Sequence, residues 1–119
     1  MTGMQLLEEQ DRVAATAPEG PAPRVFEAIV RKRCLTATYN RTQVLMAPHA
    51  AWTKHGDLFV DGVTLRLNGA PPREPKLGTF KLIGLGDLAV TDQPFFVSDL
   101  FNPGDAKYGG ELLLSVEPD

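Results

Sequence analysis

The sequence predicts a mainly-β fold: a small, partly open barrel of five or six antiparallel strands, preceded by one short α-helix. Three observations carry this expectation. At 119 residues the chain has room for one domain around one core. Eleven Gly and ten Pro are about half again the usual share of about 12%, which favours many short elements joined by turns over a bundle of long helices. Beyond residue 34 the apolar positions switch from a three-and-four spacing to alternation, the pattern of half-buried strands. Hydrophobic residues at 43% and charged residues at 23% are those of an ordinary globular chain, so neither disorder throughout nor a fibrous build is expected.

Residues 1–23 are acidic and then rich in Ala, Pro and Gly. Leu6, Leu7, Gln10 and Val13 could line one face of a short helix, but the Pro-rich stretch after them uncouples it from the rest of the chain. The expected organisation is therefore a flexible N-terminal tail and linker at 1–23 and a folded domain at 24–119. From Arg24 onward Phe26, Ile29, Val30 and Cys34 recur at helical spacing, with Glu27 four residues before Arg31. This helix ends in Arg31-Lys32-Arg33, cations suited to the negative end of the helix dipole.

The strands come next, in order. Leu35, Ala37 and Tyr39 alternate with Thr36 and Thr38, and Asn40-Arg41-Thr42 is a turn. A second strand, 43–47, stops at Pro48, which has no N–H to give to a ladder. A third, 58–67, comes after the turn His55-Gly56-Asp57. Residues 68–75, with Pro71, Pro72 and Pro75, form a loop. Further strands are expected at 77–83, 88–91 and 111–116, the last with Leu112, Leu114 and Val116 on one face. The similar pentapeptides at 56–60 and 86–90 are each read as a Gly-Asp turn feeding a strand. Residues 101–110 are a turn-rich connection.

From residue 26 to residue 95 the order of these features resembles the WYL domain, a small Sm-like or SH3-like barrel of bacterial transcriptional regulators. Four stretches carry the resemblance. Val25-Phe26-Glu27-Ala28-Ile29-Val30-Arg31-Lys32-Arg33-Cys34-Leu35-Thr36-Ala37-Thr38-Tyr39 is similar to that family's opening helix, basic turn and first strand. Val44-Leu45-Met46-Ala47-Pro48 is similar to its second strand. Leu58, Phe59 and Val60 stand in the places of the name-giving Trp-Tyr-Leu triplet. Thr79-Phe80-Lys81-Leu82-Ile83 resembles the Phe-Arg-Leu strand, although Gly78 and Gly84 occupy flanking positions that are Arg in the family and leave Lys81 alone. The resemblance implies a stand-alone, WYL-like sensory module of a bacterial regulatory system without a helix-turn-helix domain, whose basic positions contact an anionic effector or nucleic acid.

Charge narrows the partner. The net charge of −3 argues against bulk coating of nucleic acid or of an anionic membrane. The distribution is uneven, −3 over residues 1–20, +5 over 21–56 and −5 over 57–119. A phosphate-bearing ligand needs converging cations beside an aromatic platform, so Tyr39, Arg41, Phe59, Lys76 and Lys81 are the expected ligand-binding residues. Trp52 is expected to pack in the core. His49, His55, Asp57 and Asp61 could supply metal ligands on paper, but their spacing matches no metal motif, so neither metal nor cofactor is expected. Cys34 comes after three cations yet reads as a small buried hydrophobe. No acid–base pair, nucleophile motif or phosphate-binding glycine loop appears, and no enzyme is expected. A lone cysteine and the lack of an 18-residue apolar run point to the cytoplasm, with no membrane partner.

These residues suggest two functions. The first is a non-enzymatic module that binds an anionic small molecule or a single-stranded nucleic-acid end. The alternative is a protein-interaction or homo-oligomerisation module, paired at a sheet edge through Leu112, Leu113 and Leu114, with a regulatory protein or a second copy as partner. Convergence of Arg41, Lys76 and Lys81 on one face favours the first, and their scatter favours the second.

Overall fold

Helix α1, Pro21–Arg31, opens the part of the chain that the computed structural model describes, residues 20–119; the helical face expected at 6–13 lies outside it. The helix begins three residues before Arg24 because Pro21 and Pro23 fall in its first turn, where an N–H has no intrahelical acceptor to lose. Its buried stripe is Val25, Ala28 and Ile29, while Val30 is 65% exposed. Cys34 is not on the helix at all. Lys32 adopts a left-handed conformation, φ 55°, and its N–H closes on the Ala28 and Ile29 carbonyls, so the helix stops and the chain enters β1 already extended. The basic cluster behaves as helix-end chemistry predicts: Arg31 pairs with Glu27 at 2.6 Å, and the Arg33 guanidinium donates to the Arg31 and Lys32 carbonyls.

Six antiparallel strands complete the fold: β1 Arg33–Tyr39, β2 Thr42–Lys54, β3 Asp57–Leu67, β4 Leu77–Lys81, β5 Gly86–Pro94 and β6 Leu112–Ser115. Their order is β4-β3-β2-β1-β5, with β6 paired to β2 off that path, in an open sheet that fits the Sm-like or SH3-like description. The hairpins β1–β2 and β2–β3 turn on Asn40-Arg41 and His55-Gly56, with φ of 49°, 64°, 53° and 83°, the doubly left-handed geometry that matches strand twist. A 3₁₀ turn, Leu82–Gly84, cuts β4 shorter than the expected 77–83, and β5 is longer than the expected 88–91.

Pro48 does not end the second strand. It sits fully buried within the 13-residue β2, where the neighbour on one side changes hands. β1 pairs with β2 only as far as Met46, and β6 takes over from Ala50. The missing N–H therefore falls where that flank has no ladder partner, and the register to β3 shifts between Pro48 and Ala50. Gly62 stands opposite Pro48; a Cβ there would come within 2.8 Å of the Met46 sulfur and 3.2 Å of the Ala47 carbonyl oxygen, so any larger residue would displace the buried Met46 side chain.

The register shift also divides the core. Val44, Met46 and Ala51 of β2 join Val60, Leu35 and the α1 stripe in the main cluster. Ala50 and Trp52 face the opposite way and form a second cluster with Tyr108, flanked by Phe59, Phe101 and Leu112. The chain after β5 wraps over that outer face, so β2 is covered on both sides and reads as an unbroken buried run from 46 to 52.

Candidate functional site

The five predicted binding residues are held on three separate parts of the barrel. Tyr39, at the end of β1, meets the Phe80 ring edge-on at 5.1 Å and lies against Gly84. Phe59, on β3, stacks on Trp52 at 5.1 Å. Both aromatics are thus committed to packing. Arg41 is at the tip of the β1–β2 hairpin. Lys76 precedes β4, and Lys81 ends it, in register with Phe59; five extended residues separate the two lysines by roughly 17 Å. Only Phe59 and Lys81 are brought together. Lys81 lies 3.4 Å from Asp57 and lines a groove of about 260 Å³ with Leu58, Leu82 and Ile83, the last 86% exposed.

The groups considered for a metal are also dispersed. His49 and Asp61 are fully buried with other partners, and Asp57 faces Lys81. Among the described residues no group of three or more His, Cys, Asp or Glu side chains could hold an ion. Cys34 is fully buried, and burial raises its thiol pKa, so it behaves as a small hydrophobe.

The strongest polar constellation centres on Asp61, a fully buried carboxylate on β3. Trp52 Nε1 donates to Oδ1 at 2.9 Å and Thr79 Oγ1 to the same oxygen at 2.8 Å. Lys107 Nζ and Tyr108 Oη donate to Oδ2 at 2.8 and 2.7 Å. Burial pushes the carboxyl pKa up, but these four donors outweigh it and hold Asp61 below its ordinary range. Burial first, and then the bond to Asp61 and its charge, drive the Tyr108 phenol far above its usual value. Lys107 also lies 5.4 Å from the Trp52 ring centre. Local turns aim these donors: Asn102 accepts from the Gly104 N–H, Asp105 accepts from the Lys107 N–H, and Gly109 at φ 54° ends the 3₁₀ turn Ala106–Tyr108. With two donors on each oxygen, Asp61 is saturated; it pins the C-terminal wrap to the sheet and offers no acceptor to a substrate.

A second pin sits further along β2. His49, fully buried, donates from Nδ1 to the Ala47 carbonyl at 2.8 Å and accepts at Nε2 from the Ser98 N–H at 2.9 Å. The ring packs between Phe95 and Phe101, at 5.1 and 5.5 Å. A third fastening joins Asp119 to Lys32 at 2.7 Å and to the Val97 N–H at 2.7 Å.

Sequence reasoning weighed Asp61 and His49 only as metal ligands, set that aside, and missed Thr79, Lys107 and Tyr108 as partners of Asp61 and Ser98 as the partner of His49. The available signal was an Asp at a position that alternation puts on one face of β3 with the apolar Phe59 and Val63. Among the described residues no helix is long and apolar enough to cross a membrane. Comparison with protein-family models, with curated proteins and with solved structures gave no match.

Proposed function

We propose that this chain is a non-enzymatic interaction module on a WYL-like barrel and that it associates with a second copy through the open edge of β6. One observation carries the reading: among the described residues β6 is paired to β2 alone, and its central Leu113 is 55% exposed. The scatter of Arg41, Lys76 and Lys81 supports it by removing a convergent anion site. Antiparallel pairing about Leu113 sets Leu113 against its own copy, Leu112 against Leu114, and Glu111 against Ser115, so the two-fold arrangement brings no two carboxylates face to face. Four residues per strand make a small interface, below the ~1,200–2,000 Å² of stable complexes, and the association is accordingly reversible. Sedimentation equilibrium at micromolar and higher concentrations should show a mass above monomer that grows with concentration. Leu113→Lys should weaken the association about tenfold or more, ~1.4 kcal/mol; a monomer at every concentration refutes the proposal.

A second reading keeps the anionic effector, favoured by Lys81 in the lining of the groove beside Leu58, Leu82 and Ile83. It is tested by thermal shift with nucleotides, short single-stranded oligonucleotides and anionic metabolites. A salt-sensitive rise that disappears when Lys81 and Arg41 are both replaced by Ala supports it, and no rise with any of them removes it. The regulatory setting rests on the WYL resemblance, and the cytoplasmic location on the lone cysteine and the lack of a long apolar run.

A further inference from the structure

We propose that Ser98, at the middle of the strap 95–101, is released by a proton: neutral His49 holds it to β2, and it is freed when that ring takes up a proton at Nε2. The geometry leaves the ring no spare acceptor. Nδ1 carries a proton because it faces the Ala47 carbonyl, 2.8 Å away. Nε2 must then be the unprotonated nitrogen, and it accepts the Ser98 N–H at 2.9 Å. A proton added at Nε2 sets one N–H against another across that distance, and it places a cation in a site with no solvent exposure. The strap can yield where the ring cannot, because Phe96 is 86% exposed and Asp99 and Leu100 face solvent.

The groups around the ring set the direction of its response. From β2 it meets the Ala47 carbonyl, and from the strap the Ser98 amide and the Phe95 and Phe101 rings. Among the described residues the charged group acting on it is Asp119, whose carboxylate is itself paired with Lys32. Burial, the largest influence, keeps the ring neutral below its ordinary value of 6.5, while the Ala47 bond and Asp119 oppose it. The pin at Asp61 does not use this proton. Release is therefore confined to the strap, with Lys107 and Tyr108 still bound at the acidity that frees Ser98.

Hydrogen exchange of the full chain tests this, read at the Ser98 amide by NMR between neutral and mildly acidic pH and corrected for intrinsic exchange. Protection of Ser98 should fall about tenfold or more, ~1.4 kcal/mol, in step with the His49 ring titration, and by more than that of the Val60 and Met46 amides, which lose only what the decline of the whole fold in acid takes from them. His49→Phe should give low Ser98 protection at every pH. Should that variant not fold, Asp119→Asn should move the transition to lower pH, and His55→Gln should leave it unchanged. Ser98 protection that persists through the His49 titration, or that is lost only together with Val60 and Met46, overturns the proposal.

Discussion

Replacing Asp61 by Asn should destabilise the domain by about 3–5 kcal/mol, the cost of breaking a buried charged network while its partners stay in place. The substitution changes almost no volume, so packing is preserved and the loss is polar. The amide oxygen can still accept from Trp52 Nε1 and Thr79 Oγ1, as Oδ1 does now at 2.9 and 2.8 Å. The amide nitrogen then faces Lys107 Nζ and Tyr108 Oη, both donors in the present arrangement at 2.8 and 2.7 Å. Two bonds to a charged acceptor disappear, at about 1.5–3 kcal/mol each, discounted for Lys107, which can turn to water. Trp52 is the only tryptophan of the chain and donates to this carboxylate, so its fluorescence reports the transition directly. Urea titration followed at Trp52 gives the difference, and thermal unfolding should move by about 4–8 °C per kcal/mol for a domain near this size. A loss below about 1 kcal/mol, the value of an ordinary neutral hydrogen bond, would refute the assignment of Asp61 as a charged pin.

Acid should weaken the fold in two windows. His49 has a lowered folded-state pKa, so between that value and the ordinary 6.5 the unfolded chain binds the proton and the folded chain does not; stability is complete above about 6.5 and declines as pH falls below it. Asp61, lowered from 3.8, adds stability above that value and loses it as pH falls through the folded pKa, which urea midpoints across pH will show as a second decline. Gly84→Arg should cost about 1–3 kcal/mol in the same titration, because a Cβ there lies 3.0 Å from Tyr39 Cε1 and the ring must move. Cys34 should resist iodoacetamide in the native protein and react once urea unfolds it, as mass spectrometry will register, since its thiol is buried and its pKa raised.

Periodicity and turn chemistry were the legible part of the sequence. Alternation over Leu35, Ala37 and Tyr39 places β1, Asn40-Arg41 and His55-Gly56 place two hairpins, and Leu114 and Val116 turn into the main core while Leu113 faces out; Leu112, expected on their face, packs instead on the outer cluster beside Trp52, because the β2–β6 register shifts between Ala51 and Trp52. The helix was found but its stripe was misplaced by one residue, because Cys34 matches the helical spacing while the left-handed Lys32 has already ended the helix. Pro48 misled for a different reason. Its prohibition applies to a strand paired on both sides, and no local signal says that β1 leaves and β6 arrives at that position. The polar pins were illegible because they are long-range: Asp61 meets Lys107 and Tyr108 at separations of 46 and 47 residues, and His49 meets Ser98 at 49. Composition cannot announce such pairings, and the turn-rich stretch 101–110 hides the donors among loop residues.

The same pairings decide which chemistry is left for binding. An aromatic platform for a nucleobase needs a free ring face, yet Phe59 packs on Trp52, Tyr108 meets Trp52 edge-on and Tyr39 meets Phe80. A phosphate clamp needs unpaired cations in one place, yet Arg31, Lys32 and Lys107 are paired with Glu27, Asp119 and Asp61. The outer sheet face, where a small barrel could hold a ligand, is filled by the chain's own C-terminal wrap. Covering that face lets a 119-residue chain bury β2 from both sides, which a single-faced sheet of this size cannot do. The cover has an end, and β6 lies there with one side paired and the other open. Internal packing has thus taken the rings and several of the cations, and it leaves backbone donors and acceptors at an edge, with Leu113 beside them, which is the surface proposed above for pairing with a second copy.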